Sequence, residues 1–293
     1  MPHRWILCCA FILVTMAAML TTAQADTSQW PEKLTFGVIP VASSRNMSET
    51  FGNLTAYLEK QLGLKIELQT AGDYAGVITG MEHKHIDLAY LGPKSYVEAA
   101  KRAGAEAVGI EIGLSGIAGY NGYIITKKDS GLNSIADLKG KKWAFTDPHS
   151  TSGTLVPTIY FNQQGIDPQQ YFSKVIYSGS HESSILSVKA GKVDGASTNN
   201  LDFDRGVGKQ WTKNDFNIIW QSDLIPGSPI AVRGDLPVSL KMAIKGALVS
   251  YDDPQGLEQL KLKGYLAGND QMYDGVRKLI AMKKALKEQQ AKK

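Results

Sequence analysis

The sequence predicts an α/β protein of two lobes, and three observations carry that prediction. Short apolar or β-branched runs alternate with amphipathic stretches. One helix, turn and strand layout occurs twice, and 293 residues suffice for two lobes rather than one small core. Strands that alternate with helices imply parallel pairing in sheets covered on both faces.

Residues 34–39 read as a buried strand, 48–62 as a helix, 65–69 as a strand, 74–82 as a helix and 86–90 as a strand. The alternation resumes with a strand at 142–145, a helix from about 152 to 164 closed by Gly165, and a strand at 173–177. A helix at 182–190 closed by Gly191 and a strand at 193–196 follow. Helices at 237–250, 255–263 and 271–286 complete the chain, leaving a polar end at 287–293.

The repeated layout runs from Gly76-Val77-Ile78-Thr79-Gly80-Met81 into Ile86-Asp87-Leu88-Ala89, and from Ser184-Ile185-Leu186-Ser187-Val188 into Val193-Asp194-Gly195-Ala196. Each is a helix, a basic turn and a strand that opens with an aliphatic-Asp pair. Two such lobes facing each other place a ligand in the cleft at the carboxyl ends of their strands.

The first 25 residues stand apart from this pattern. Arg4 is their only charged side chain, residues 5–20 form an apolar run, and Ala23-Gln24-Ala25 offers small residues where a signal peptidase reads. The run is shorter than the roughly 20 residues needed to span a bilayer. The segment therefore reads as a signal peptide cleaved after Ala25, giving an exported, periplasmic protein. Both cysteines, Cys8 and Cys9, lie inside it, so the mature chain has neither disulfides nor thiolate chemistry. Composition is that of an ordinary globular protein, 43% hydrophobic and 20% charged. The 32 basic residues are scattered against 28 acidic ones, which excludes a nucleic-acid stripe or a polybasic membrane anchor.

The most informative stretch is Asp147-Pro148-His149-Ser150-Thr151-Ser152-Gly153, placed after a strand and opening a helix. Three hydroxyls and a glycine at a helix N-terminus gather O–H donors and unpaired backbone N–H groups around one point, which suits an anion or simply caps the helix. No Lys follows Gly153, so this is not a nucleotide P-loop. His181, in a first helical turn behind Ser180, either donates to an oxyanion or serves as a cap. Tyr74, Tyr90 and Tyr120 fall at element ends, where each phenol points into a cleft or packs. Glu82-His83-Lys84-His85 reads as a solvated turn rather than a metal site. There is no G-x-S-x-G, H-E-x-x-H or mature Cys, so the common hydrolase constellations are missing. No catalytic residues, metal ligands or cofactors are expected.

Asp147 to Pro157, with Asp73-Tyr74-Ala75-Gly76, Ile86 to Pro93, Gly179-Ser180-His181-Glu182 and Leu224-Ile225-Pro226-Gly227, resembles the periplasmic phosphonate- or phosphite-binding component of ABC transporters along almost the whole mature chain. The resemblance implies a type II periplasmic binding fold with mixed, largely parallel sheets and ligand in the interlobe cleft. Residues 26–117 and 225–293 would build one lobe and 118–224 the other, with crossings near 116–123 and 220–232. It implies that Ser150, Thr151, Ser152, His181, Tyr74, Tyr120 and Tyr90 hold the oxyanion, and that the partners are a small phosphonate or phosphite and an inner-membrane permease. Aminoalkylphosphonate-binding relatives place carboxylates where this chain has Asn200 and Ser228, with Asp202 and Asp204 nearby. A buried ammonium needs such a partner, so methylphosphonate or phosphite is the expected ligand.

Overall fold

The computed structural model describes residues 27–290. The apolar N-terminal segment, with its expected cleavage after Ala25, lies outside the described residues. In chain order the first run is β1 Lys33–Val38, α1 Ser44–Leu62, β2 Lys65–Thr70, α2 Tyr74–Glu82, β3 Leu88–Tyr90, α3 Pro93–Ala103 and β4 Glu106–Gly113. The second is β5 Gly119–Lys127, β6 Lys142–Phe145, α4 Val156–Gln163, β7 Lys174–Tyr177, α5 His181–Lys189, β8 Gly195–Asn199, α6 Asn200–Gly206 and β9 Phe216–Pro226. The chain returns through β10 Pro229–Val232, α7 Val238–Val249, α8 Pro254–Leu260, β11 Leu262–Ala267 and α9 Asp274–Gln290.

The strands form two sheets, ordered β11-β4-β10-β3-β1-β2 and β7-β6-β8-β5-β9. β1 runs parallel to β2 and β3, and β6 parallel to β7 and β8, as the strand–helix alternation predicts. The sheets are mixed because β5, β9, β10 and β11 enter antiparallel. Of the two passages between sheets, that at residues 227–228 falls inside the expected crossing at 220–232, and that at 114–118 overlaps the start of the one expected at 116–123. They are tied together by two hydrogen bonds: Glu111 N donates to Ser228 O and Gly227 N to Ala118 O, both at 3.2 Å. A Cβ on Gly227 would stand 2.5 Å from Glu111 O, so only glycine lets this passage lie so close to β4.

The repeated aliphatic-Asp pair does the same structural work in both lobes. Asp87 accepts the Thr35 N–H at 2.7 Å through Oδ2 and returns its own N–H to Thr35 O at 3.0 Å. Asp194 does the same with Lys142, at 2.7 and 3.0 Å. Each carboxylate ties the start of its strand to the parallel neighbour, which is why β3 and β8 begin after the aspartate rather than before it.

Among the boundaries that differ from the sequence pattern are three in helices. α1 starts at Ser44 rather than 48 because Ser43 Oγ accepts the Asn46 N–H, a cap upstream of the amphipathic stripe. The helix expected over 255–263 stops at Leu260, where Lys261 turns left-handed at φ 56°, and β11 follows. The polar end continues as helix to Gln290.

The first sheet packs Leu34, Phe36 and Val38 of β1 against Met47, Phe51, Leu54 and Leu58 of α1, all fully buried. In the second, adjacent Ile124 and Ile125 feed opposite faces, the period-2 consequence of a strand buried on both sides. On one face Trp143 stacks on Phe172 at 5.0 Å and meets Phe161 edge-on at 5.2 Å. Helix α9 packs against α3 of the first lobe and α4 of the second. Trp143→Ala is expected to destabilise the protein by about 3–5 kcal/mol, read as a lower denaturant midpoint.

Candidate functional site

The loop after β6 reaches the cleft because it is pinned to the strand tips. Thr146 N donates to Gly153 O at 3.1 Å, and Ser197 Oγ donates to the same carbonyl at 2.6 Å. Gly153 approaches Thr146 so closely that a Cβ would sit 2.1 Å from its Oγ1. Ser150 is the cap of a π-helical turn, Thr151–Leu155, that leads into α4, and its Oγ accepts the Gly153 N–H at 3.0 Å.

Each of the three consecutive hydroxyls is held by a donor to its oxygen. Ser150 has Gly153 N, Thr151 has Lys94 N from the first turn of α3 at 2.8 Å, and Ser152 has Asn199 Nδ2 at 3.3 Å. A hydroxyl that accepts in this way keeps its proton to donate. His181 opens α5 behind its cap Ser180, is 3% exposed, and sets Nδ1 3.2 Å from Thr198 Oγ1 and Nε2 3.4 Å from Ser150 Oγ. Burial lowers its pKa, despite the opposing charge of Asp202, and favours the neutral ring.

From the first lobe, Tyr74 opens α2 behind its cap Asp73, and Tyr90 ends β3. Tyr120 comes from β5, and Ser228 from the passage between sheets. Burial drives all three phenols up in pKa, so they remain O–H donors. Tyr74, Tyr90, Tyr120, Ser150, Thr151, Ser152, His181, Asp202 and Ser228 line one cavity of about 20 Å³. Among the described residues, no Lys or Arg lines it.

Asn200 is the correction. Its Oδ1 accepts the Asn121 N–H at 2.7 Å, tying the start of α6 to β5, and it does not line the cavity. Asn199 does so instead, because the last residue of β8 faces the site and the next turns away into the helix. The alternation of a strand identifies such a residue only when the strand end is known, and the sequence pattern ended β8 at 196.

Sequence reasoning also missed the ion network beside the cavity. Arg205 of α6 pairs with Asp202 Oδ1 at 2.7 Å and with Glu111 Oε1 of β4 at 2.9 Å. Tyr90 donates to Glu111 Oε2 at 3.3 Å. Burial pushes the Glu111 carboxyl up to about 7, with Asp202 adding to the rise and Arg205 opposing it. The lobes are further joined by Glu182, whose Oε2 accepts Asn46 Nδ2 at 3.0 Å and whose N–H donates to Val41 O at 3.1 Å. A wider opening of about 840 Å³, between α1 and the α5–α6 face, shares Val41 and Asp202 with the small cavity.

Gly153→Ala should destabilise the fold by at least about 1–3 kcal/mol through overpacking against Thr146, lowering the melting temperature. A carboxyl whose folded pKa lies above its unfolded value loses stability as pH rises through that window, here between about 4.5 and 7. Relative to wild type, Glu111→Gln should therefore gain stability across that range, measured by melts at stepped pH.

Comparison with known proteins places these features among relatives. Residues 36–273 match the family model described as ABC transporter, phosphonate, periplasmic substrate-binding protein. The phosphonates-binding periplasmic protein of Escherichia coli strain K12 is 31% identical over 280 residues, covering 92% of this chain and 82% of the relative. The phosphate-import protein PhnD of Mycolicibacterium smegmatis is 33% identical over 246 residues, 78% of this chain and 75% of the relative. A crystal structure of a binding-protein component of an ABC phosphonate transporter from Pseudomonas aeruginosa superposes with TM-score 0.83 at 29% identity, covering 88% of each chain.

Proposed function

The chain belongs to the periplasmic phosphonate substrate-binding proteins of ABC transporters, and on that premise we propose that its interlobe cavity captures a small phosphonate or phosphite. Export to the periplasm follows from family membership, and cleavage after Ala25 is part of the proposal. The family works with a membrane permease, to which the closed, loaded form delivers its ligand.

The observation that carries the reading is the convergence of neutral donors from both lobes on one small cavity. Ser150, Thr151, Ser152 and His181 approach from the second lobe, Tyr74 from the first, and Tyr120 and Ser228 from beside the crossings, while Tyr90 lines the cavity with its proton given to Glu111. An oxyanion held this way needs no lysine or arginine in contact with it, because each hydrogen bond to a charged group contributes about 1.5–3 kcal/mol away from water. Five or six such bonds, less the cost of ordering the lobes and desolvating the ligand, agree with a dissociation constant of about a micromolar or below. Thr151 serves twice, since it accepts from Lys94 of the opposite lobe and also lines the cavity. Closure and recognition thus share one side chain.

Inorganic phosphate is a second reading, favoured by the phosphate-import name of the Mycolicibacterium relative. Against it, the carboxylate that lines the cavity, Asp202, is already engaged by Asn199 and Arg205, so a fourth, protonated ligand oxygen has to compete with those donors for its acceptor. The apolar P–H of phosphite or P–CH₃ of methylphosphonate needs none.

A thermal-shift panel of phosphite, methylphosphonate, phosphate and taurine tests the assignment, since excess ligand raises stability in proportion to its affinity. Phosphite or methylphosphonate should give the largest rise. A shift with taurine alone would overturn the phosphonate reading. Ser150→Ala or Thr151→Ala should weaken the preferred ligand by about 1–3 kcal/mol without unfolding the protein, measured by calorimetry. Unchanged affinity in both variants would remove the loop from the site.

A further inference from the structure

The Asp202–Arg205–Glu111 network is not needed to hold an oxyanion, yet it is buried beside the cavity that does. Two carboxylates next to an anion site oppose binding unless a cation neutralises them, and a ligand carrying its own cation is one way to supply it. This protein supplies one itself. We propose that Arg205 determines which phosphonates the site accepts: its guanidinium fills the place of a ligand cation on Asp202 and Glu111, so phosphonates with a small uncharged substituent bind and those bearing an ammonium are rejected. The inference rests on the oxyanion reading of the cavity.

Three observations carry it. First, all four carboxylate oxygens have a donor from within the protein. Arg205 takes Asp202 Oδ1 at 2.7 Å and Glu111 Oε1 at 2.9 Å, Asn199 Nδ2 takes Asp202 Oδ2 at 2.7 Å, and Tyr90 takes Glu111 Oε2 at 3.3 Å. An ammonium entering the cavity finds both carboxylates already paired with the Arg205 cation, and a buried charge without its own counter-charge is strongly unfavourable. Second, Arg205 is fixed. Its side chain is 10% exposed, Nε donates to Leu260 O at 3.1 Å, and the guanidinium carbon lies 5.9 Å from the centre of the Tyr90 ring. It is therefore placed to repel a second cation rather than swing away from it. Third, Asp202 lines both the 20 Å³ cavity and the 840 Å³ opening, and Arg205 lines the opening. Asp202, paired with Arg205, borders both spaces, so a longer substituent that extends outward along this wall meets the ion pair.

The test compares ethylphosphonate with aminomethylphosphonate, which match in size and differ by an ammonium, using calorimetry on the full mature protein at neutral pH. The wild type should bind ethylphosphonate at least tenfold more tightly. Arg205→Gln should move that ratio at least tenfold toward aminomethylphosphonate, because both carboxylates lose their cation. Equal or tighter binding of aminomethylphosphonate by the wild type overturns the proposal whether or not the variant folds. An unchanged ratio in folded Arg205→Gln, or in Arg205→Met where the first variant does not fold, also overturns it. Failure of the wild type to bind methylphosphonate, phosphite and ethylphosphonate removes the oxyanion reading itself, an outcome distinct from loss of discrimination alone.

Discussion

Everything at the cleft follows from one constraint: a polar group taken out of water must find a partner. Between the lobes the protein buries four hydroxyl side chains, three phenols, an imidazole and a carboxylate around a single cavity. Ser150, Thr151 and Ser152 each accept a hydrogen bond from within the protein, which leaves each hydroxyl proton to donate. The donor array is thus set before ligand arrives, which lowers the ordering cost of binding.

The framework that imposes this constraint is assembled from two copies of one device. Asp87 and Asp194 each pair their strand with its parallel neighbour through carboxylate and backbone. The strands then deliver Tyr90 in one lobe and Asn199 in the other to the facing edges. The lobes are held in register where Gly227 and Ala118 bond across the crossings, a passage too narrow for any side chain on Gly227.

Charge is arranged in two zones. Among the described residues the cavity lining has no lysine or arginine, while Arg205 nearby is committed to two carboxylates, one from each lobe. Selectivity and closure are therefore coupled, because breaking the Arg205–Glu111 pair also loosens the contact between lobes. The near-neutral composition of the chain, 32 basic residues against 28 acidic, is consistent with a binder that recognises its anion by hydrogen bonds.

By itself, the sequence determined the α/β class, the parallel strands and the loop from Ser150 to Gly153, because those depend on patterns local in the chain. Alternation, helix capping and a run of hydroxyls act over a few residues and can be read there. The family and its ligand class were also legible, through motifs spread over the mature chain. The tertiary structure alone decided that Asn199 rather than Asn200 faces the cavity, that residues 262–267 join the sheet as β11, and that Arg205 meets Glu111 across 94 positions. A strand end depends on the length of its neighbour, an edge strand on a partner far away in the chain. A buried ion network depends on where two lobes close, and none of these distances is written in adjacent residues.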